Sequence, residues 1–174
     1  MSGSLQIAVC GAGECDDHVS EVAFQVGCGL AVAGAILVCG GRGGVMAAAC
    51  RGARSAGGIT LGILPGVSDA DSRPNNYLTA TIHTGIGQGR NLAVALSGHA
   101  AIAIAGGWGT LSEISLALKH GVPVVSLESW RPGREIRRAH DAPTDPNLHV
   151  AHTAEEAVEL ALHLAGHRHG SRPP

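Results

Sequence analysis

Short apolar runs that do not alternate with polar residues recur along this chain, each ending at or near glycine and passing into a longer amphipathic segment. Runs apolar at every position suit strands buried on both faces, and buried strands joined through helices make a parallel sheet. The pattern predicts strands over 5–10, 35–39, 59–64, 79–83, 100–104, 122–127 and 148–151, and helices over 17–32, 43–56, 88–97, 109–119 and 153–165. Right-handed crossovers then give an α/β fold: a single doubly wound, mostly parallel sheet with helices on both faces.

The length, 174 residues, is that of one domain, and folding would bury about 70% of the unfolded surface. Residues 1–166 are expected to form it, with 167–174 as a flexible tail. Aromatics are 2% of the chain while Gly numbers 26, so the core must come from Ala, Val, Leu and Ile, with backbone approaching backbone. A net charge of -2 removes the electrostatic case for a nucleic-acid or anionic-membrane partner. The start, MSGSLQIAVCG, has neither the basic region nor the cleavage site of a secretory signal, which points to the cytoplasm. Cys10, Cys15, Cys28, Cys39 and Cys50 are odd in number without a CxxC pair, as for free thiols in a reducing compartment. Val22–Gly41 carries no charge over twenty residues, but Gln25 and interspersed glycines divide it into a helix, a turn and a strand rather than a membrane span.

Two segments break the rhythm. Residues 65–78, PGVSDADSRPNNYL, follow a strand and are expected to line a site. Residues 129–147 carry charge and proline without periodicity, as a solvated loop or a lid would. His163, His167 and His169 near the C-terminus have no Cys or carboxylate nearby in sequence to complete a metal site, and nothing else in the chain requires a metal or a cofactor.

Three glycine loops at strand ends carry most of the functional information. The first, with Gly11 and Gly13, fails the dinucleotide fingerprint, because Asp16 stands where its third glycine belongs and the second strand ends without an acid for a ribose hydroxyl. No Walker A loop occurs. The second, with Gly41, Gly43 and Gly44 ahead of Val45 and Met46, leads straight into a helix, where bare amides can face an anion such as phosphate or where glycine only permits tight packing. The third, Gly106, Gly107, Trp108, Gly109 and Thr110, repeats the arrangement, so two helix N-termini would share one crevice. Glu113 stands three residues after Thr110, the spacing of a capping box, and could instead reach the hydroxyls of a bound sugar. Arg90, followed by Asn91, opens a helix against its dipole, which suggests a grip on phosphate or carboxylate in place of a simple surface position.

Taken together, GGRGGVMAAACRGA, HTGIGQGRN and GGWGTLSEI resemble the LOG-type proteins, and within that superfamily the branch of molybdenum-cofactor carrier proteins, over about residues 5–127. The resemblance implies a Rossmann-like fold, a homodimer or higher homo-oligomer, and a nucleotide-type ligand at the C-terminal edge of the strands. LOG enzymes cleave cytokinin riboside 5′-monophosphates to free base and ribose 5-phosphate. Their PGGxGTxxE signature is matched by Gly106, Gly107, Gly109, Thr110 and Glu113, with Ala105 in place of proline, and Arg90 falls where the catalytic arginine is expected. Asn91 replaces their usual lysine, as in the carrier branch. The resemblance thus implies a nucleoside 5′-monophosphate phosphoribohydrolase with Arg90 and Glu113 as the catalytic pair. The alternative is a carrier that binds molybdenum cofactor or another phosphorylated pterin or nucleotide without chemistry.

Overall fold

The computed structural model describes residues 4–130 and 145–170. Seven strands, β1 (Gln6–Gly11), β2 (Ile36–Cys39), β3 (Thr60–Leu64), β4 (Ala80–His83), β5 (Ala100–Ile104), β6 (Val124–Leu127) and β7 (Leu148–Ala151), form one sheet in the order β4-β3-β2-β1-β5-β6-β7. Every pairing is parallel. The α-helices among the described residues are α1 (Asp17–Val32), α2 (Val45–Ser55), α3 (Arg90–Ser97), α4 (Trp108–Lys119) and α5 (Ala154–Gly170), and a short 3-10 turn, Gly87–Gly89, leads into α3. The last helix runs beyond the expected end at 165, so part of the segment expected to be a tail is helical, while 171–174 lie outside the described residues.

Strand alternation sorts the core into two layers. On one face Ile7, Val9, Leu37, Ile102 and Ile104 pack under α1, α2 and α5. On the other, Ala8, Cys10, Ala101 and Ala103 meet Ala95 of α3 and Ile114 and Ala117 of α4. The scarcity of aromatics is compensated by close approach. A Cβ at Gly27 of α1 would lie 1.9 Å from the Ala49 carbonyl oxygen of α2, and one at Gly52 of α2 would lie 2.0 Å from that of Phe24, so the two helices touch backbone to backbone. α1 itself starts where Asp16 accepts the Val19 N–H at 2.8 Å, a side-chain cap on an otherwise unpaired donor. Among the described residues no helix is long and apolar enough to cross a membrane, and the uncharged stretch at 22–41 becomes the end of α1, a turn and β2.

From β1 the chain steps outward through β2, β3 and β4, then returns to β5 on the other side of β1. The connections on the two sides of this reversal leave in opposite directions, and a crevice opens at the C-terminal ends of the strands. That is where the glycine loops lie.

Candidate functional site

A cleft of about 560 Å³ fills this crevice, walled by four segments. The end of β1 supplies Gly11, Ala12, Gly13 and Glu14; the loop into α2 supplies Arg42, Gly43 and Met46. The turn before α3 and its first residues supply Gln88, Arg90 and Asn91, and α4 with its preceding loop supplies Gly107, Gly109, Thr110 and Glu113. Of the residues singled out in the sequence, Gly41, Gly44, Val45 and Gly106 stand behind this lining. Gly44 has φ 58°, and a Cβ there would lie 2.3 Å from the Ala12 carbonyl oxygen; the Val45 N–H donates to that same carbonyl at 3.0 Å. The loops after β1 and β2 are therefore clamped together, and that N–H of α2 is taken. Gly13, Gly107 and Gly109 have open space where a Cβ would be, and the first amides of α4 carry no side-chain cap. Helix geometry leaves those N–H groups without intrahelical partners, so they and the dipole offer an anion site.

Arg90 and Glu113 are each only 6% exposed. Arg90 donates from Nη1 to the Ile63 carbonyl at 3.0 Å, its buried Nε has no partner among the described residues, and Gly40 makes room for the guanidinium, since a Cβ there would lie 1.9 Å from Nη1. The alternative of a simple surface position is thereby excluded: the side chain crosses from the start of α3 to the ends of β2 and β3. Burial lowers its pKa and the neighbouring carboxylate of Glu113 opposes that shift. Burial pushes Glu113 up to about 7, with Arg90 pulling the other way. A carboxyl balanced near neutrality beside a guanidinium can donate or accept a proton at physiological pH. The capping-box alternative is also excluded, because α4 begins at Trp108 with Gly107 as its N-cap, which places Thr110 inside the first turn and Glu113 on the cleft wall.

Beneath the floor, Cys39 at the end of β2 and Cys50 of α2 bring their sulfurs to 3.5 Å, and the Gly41 N–H donates to the Cys39 Sγ at 3.3 Å. The hydrogen bond from Cys50 lowers the Cys39 pKa and raises that of Cys50, while burial raises Cys10. All five cysteines are free thiols, three of them buried.

Residues 65–78 do not line the cleft as expected. They follow β3, two strands away from β1, and brace the second glycine loop from outside: Asn75 donates from its backbone to the Gly41 carbonyl at 2.9 Å and from Nδ2 to that of Arg42 at 3.1 Å. Most of 129–147 lies outside the described residues, and so does its reading as a loop or lid. Among the described residues no His, Cys, Asp and Glu group could hold a metal ion. Ala12, Glu14, Arg42 and Gln88 of the lining, and Gly40 behind it, were missed in the sequence. Arg42 and Gly40 lie in the conspicuous GGRGG run, so the signal for them was present in that motif.

The model of the SLOG cluster4 family matches residues 4–158. A protein of Archaeoglobus fulgidus described as uncharacterized is 44% identical over 158 residues, covering 91% of this chain and 95% of that one. Among solved structures, the molybdenum cofactor binding protein of Rippkaea orientalis superposes with a TM-score of 0.83 at 33% identity over 94% of this chain and 99% of that one. The Moco carrier protein of Chlamydomonas reinhardtii superposes with a TM-score of 0.81 at 34% identity over 95% and 99%.

Proposed function

Since the chain belongs to the SLOG cluster4 family, we propose that it binds and carries a phosphorylated heterocycle of the molybdopterin type in the cleft between β1 and β5. The observation that carries this is one end of the cleft, where Gly107, Gly109 and Thr110 at the uncapped start of α4 line the same space as Arg90 and Arg42. A phosphate monoester needs several N–H donors and one or two cations, and here they are held on rigid elements. The likeness to a cofactor binding protein and a carrier protein supports the same ligand class. Gly11, Gly13, Gly43, Met46 and Asn91 would line the rest of the ligand, with Gly41, Gly44, Val45 and Gly106 fixing the loops.

Phosphoribohydrolase activity is the second reading, favoured by Glu113, whose carboxyl near pH 7 beside Arg90 suits general acid or base work. In that chemistry phosphate binding would orient a ribose, Glu113 would hold its hydroxyls or activate water, and Arg90 would stabilise the leaving base or the phosphate. One experiment separates the two. The protein is incubated with molybdopterin and with AMP, GMP and isopentenyl-adenosine monophosphate, and both thermal stabilisation and free base are followed. Stabilisation by molybdopterin without base release supports the carrier. Base release that falls about 10²-fold or more in Glu113→Gln supports the hydrolase. Self-association is expected as well, since Val67, Ile82, Ile86, Leu92 and Leu96 leave apolar surface exposed around β4 and α3. Light scattering on the purified protein reads it directly.

A further inference from the structure

Both tryptophans of this chain stand side by side at the edge of the cleft. Trp108 opens α4 between Gly107 and Gly109, two residues of the lining, yet it is 81% exposed. Trp130 lies against it with ring centroids 5.9 Å apart and planes 28° from parallel. That second ring is fixed: its indole N–H donates to the Gly106 carbonyl at 3.1 Å, and its own carbonyl accepts the Ser126 hydroxyl at 3.1 Å. An exposed indole backed by an anchored one is a stacking wall that needs little ordering when a ring lies on it.

Next to the pair is a second recess of about 280 Å³, lined by Ala105, Gly106, Glu128, Ser129 and Trp130. It meets the cleft across the Ala105–Gly107 turn, whose first carbonyl accepts the Ser129 hydroxyl. Among the described residues, the non-glycine positions with left-handed φ are Ala105 at 47° and Glu128 at 51°, and both line this recess. Such conformations are strained and concentrate where a side chain must be aimed. Among the described residues the Glu128 carboxylate takes part in one contact, at 3.3 Å from Nε2 of His18, and keeps acceptor capacity on its other side.

The geometry points to a ring subsite. A planar heterocycle built on a 2-amino-4-oxopyrimidine ring, as in guanine or a pterin, stacks on the Trp108–Trp130 wall while Glu128 accepts its adjacent ring N–H and exocyclic amino hydrogens. The phosphate end of the same ligand reaches the amides of α4, so this subsite rests on the phosphorylated-heterocycle reading. Adenine has no such pair of donors on one edge, and the carboxylate therefore discriminates against it.

The test uses the whole chain with four probes, GMP, AMP, guanosine and ribose 5-phosphate, by calorimetry and by tryptophan fluorescence. GMP is expected to quench the fluorescence and to bind more tightly than AMP or ribose 5-phosphate. Trp108→Ala should weaken GMP by about tenfold, the size of a lost base stack, and Trp108→Phe should restore most of it. Glu128→Gln should bring GMP and AMP together, and none of these changes should alter ribose 5-phosphate. GMP bound no tighter than ribose 5-phosphate, and equally by Trp108→Ala, would overturn the ring subsite and leave the phosphate cleft standing. Guanosine bound as tightly as GMP, with loss in Trp108→Ala, would keep the ring subsite and overturn the phosphate cleft. Binding of none of the four overturns both.

Discussion

Aligned on their helix starts, the loop entering α2 and the loop entering α4 set Gly44 opposite Gly107, Met46 opposite Gly109, and Cys50 opposite Glu113. Both follow buried strands, and both look in sequence like phosphate loops. In the first, glycine serves packing: Gly40 abuts Arg90, Gly41 lies over Gly62 and Leu64, and Gly44 touches the backbone of Ala12 and Gly13. In the second, only Gly106 is filled, by the Thr110 side chain, while Gly107 and Gly109 face open space. The sixth helical position repeats the contrast, a thiol locked against Cys39 in one helix and a carboxyl on the cleft wall in the other. One loop is a scaffold and the other is an exposed edge, and the lesson is that a run of glycines records permission, not purpose.

The largest effect should come from Gly44→Ala. The new methyl would sit 2.3 Å from a carbonyl oxygen at a φ of 58°, and neither loop can retreat without breaking the Val45–Ala12 hydrogen bond. Strain and overpacking together imply a loss of about 4 kcal/mol, read from the shift of the urea midpoint. Glu113→Gln probes the other loop and should have the opposite sign. Because the folded pKa, about 7, lies above that of an exposed carboxylate, the folded state holds the extra proton. The stability from this group is complete below about pH 4 and is lost as pH rises toward 7, after which it stays lost. Up to about 3 kcal/mol is at stake. Glu113→Gln, neutral throughout, should flatten that slope and exceed the wild type in stability at pH 8, measured as melting temperature against pH. A slope unchanged by the substitution would mean the carboxyl is solvated and the burial argument is wrong.

The strands were legible because a parallel sheet buries both faces, so β1, β2 and β5 carry apolar residues at nearly every position and end where glycine begins. The order of strands was legible only as a class, since it depends on which side of β1 the chain returns to. For the site, Arg90 and Glu113 could be named from sequence, but not their burial or their shared environment, which arise from α3 and α4 packing on the same face of the sheet. The 65–78 segment misled because its composition says loop and strand end without saying which strand. Its contacts go to the back of the second glycine loop, at the Gly41 and Arg42 carbonyls, and the connection after β4 supplies the cleft wall instead. The capping box offered at Thr110 was an alternative the sequence could not remove: Thr110 fits the motif, yet the helix begins sooner, after Gly107.

Gly40 lies where scaffold and binding edge meet, and Gly40→Ala should separate them. The added methyl meets the far end of the Arg90 side chain rather than backbone, so the guanidinium is displaced and its bond to the Ile63 carbonyl is lost. A destabilisation of about 2 kcal/mol follows from that buried hydrogen bond to a charged group. Binding should suffer more than folding, and ribose 5-phosphate affinity should fall toward that of Arg90→Ala. Unaltered affinity would show that the cation at the anion site is Arg42 alone.

The smallest effect, and the sharpest contrast with Gly44, is expected at Gly109. It is the second residue of α4, with a helical neighbour on each side and nothing within 4 Å of a would-be Cβ. Alanine removes backbone freedom from the unfolded chain and meets no obstacle in the folded one, so Gly109→Ala should raise stability by up to about 1 kcal/mol. The methyl points into the cleft, however, at the amide edge assigned to phosphate. Gain in melting temperature with loss of ribose 5-phosphate binding would mark this glycine as kept for ligand rather than for fold. Gain in stability with binding intact would move the anion to the far side of the cleft, toward Gly13 and Arg42, and would reverse the roles given to the two loops.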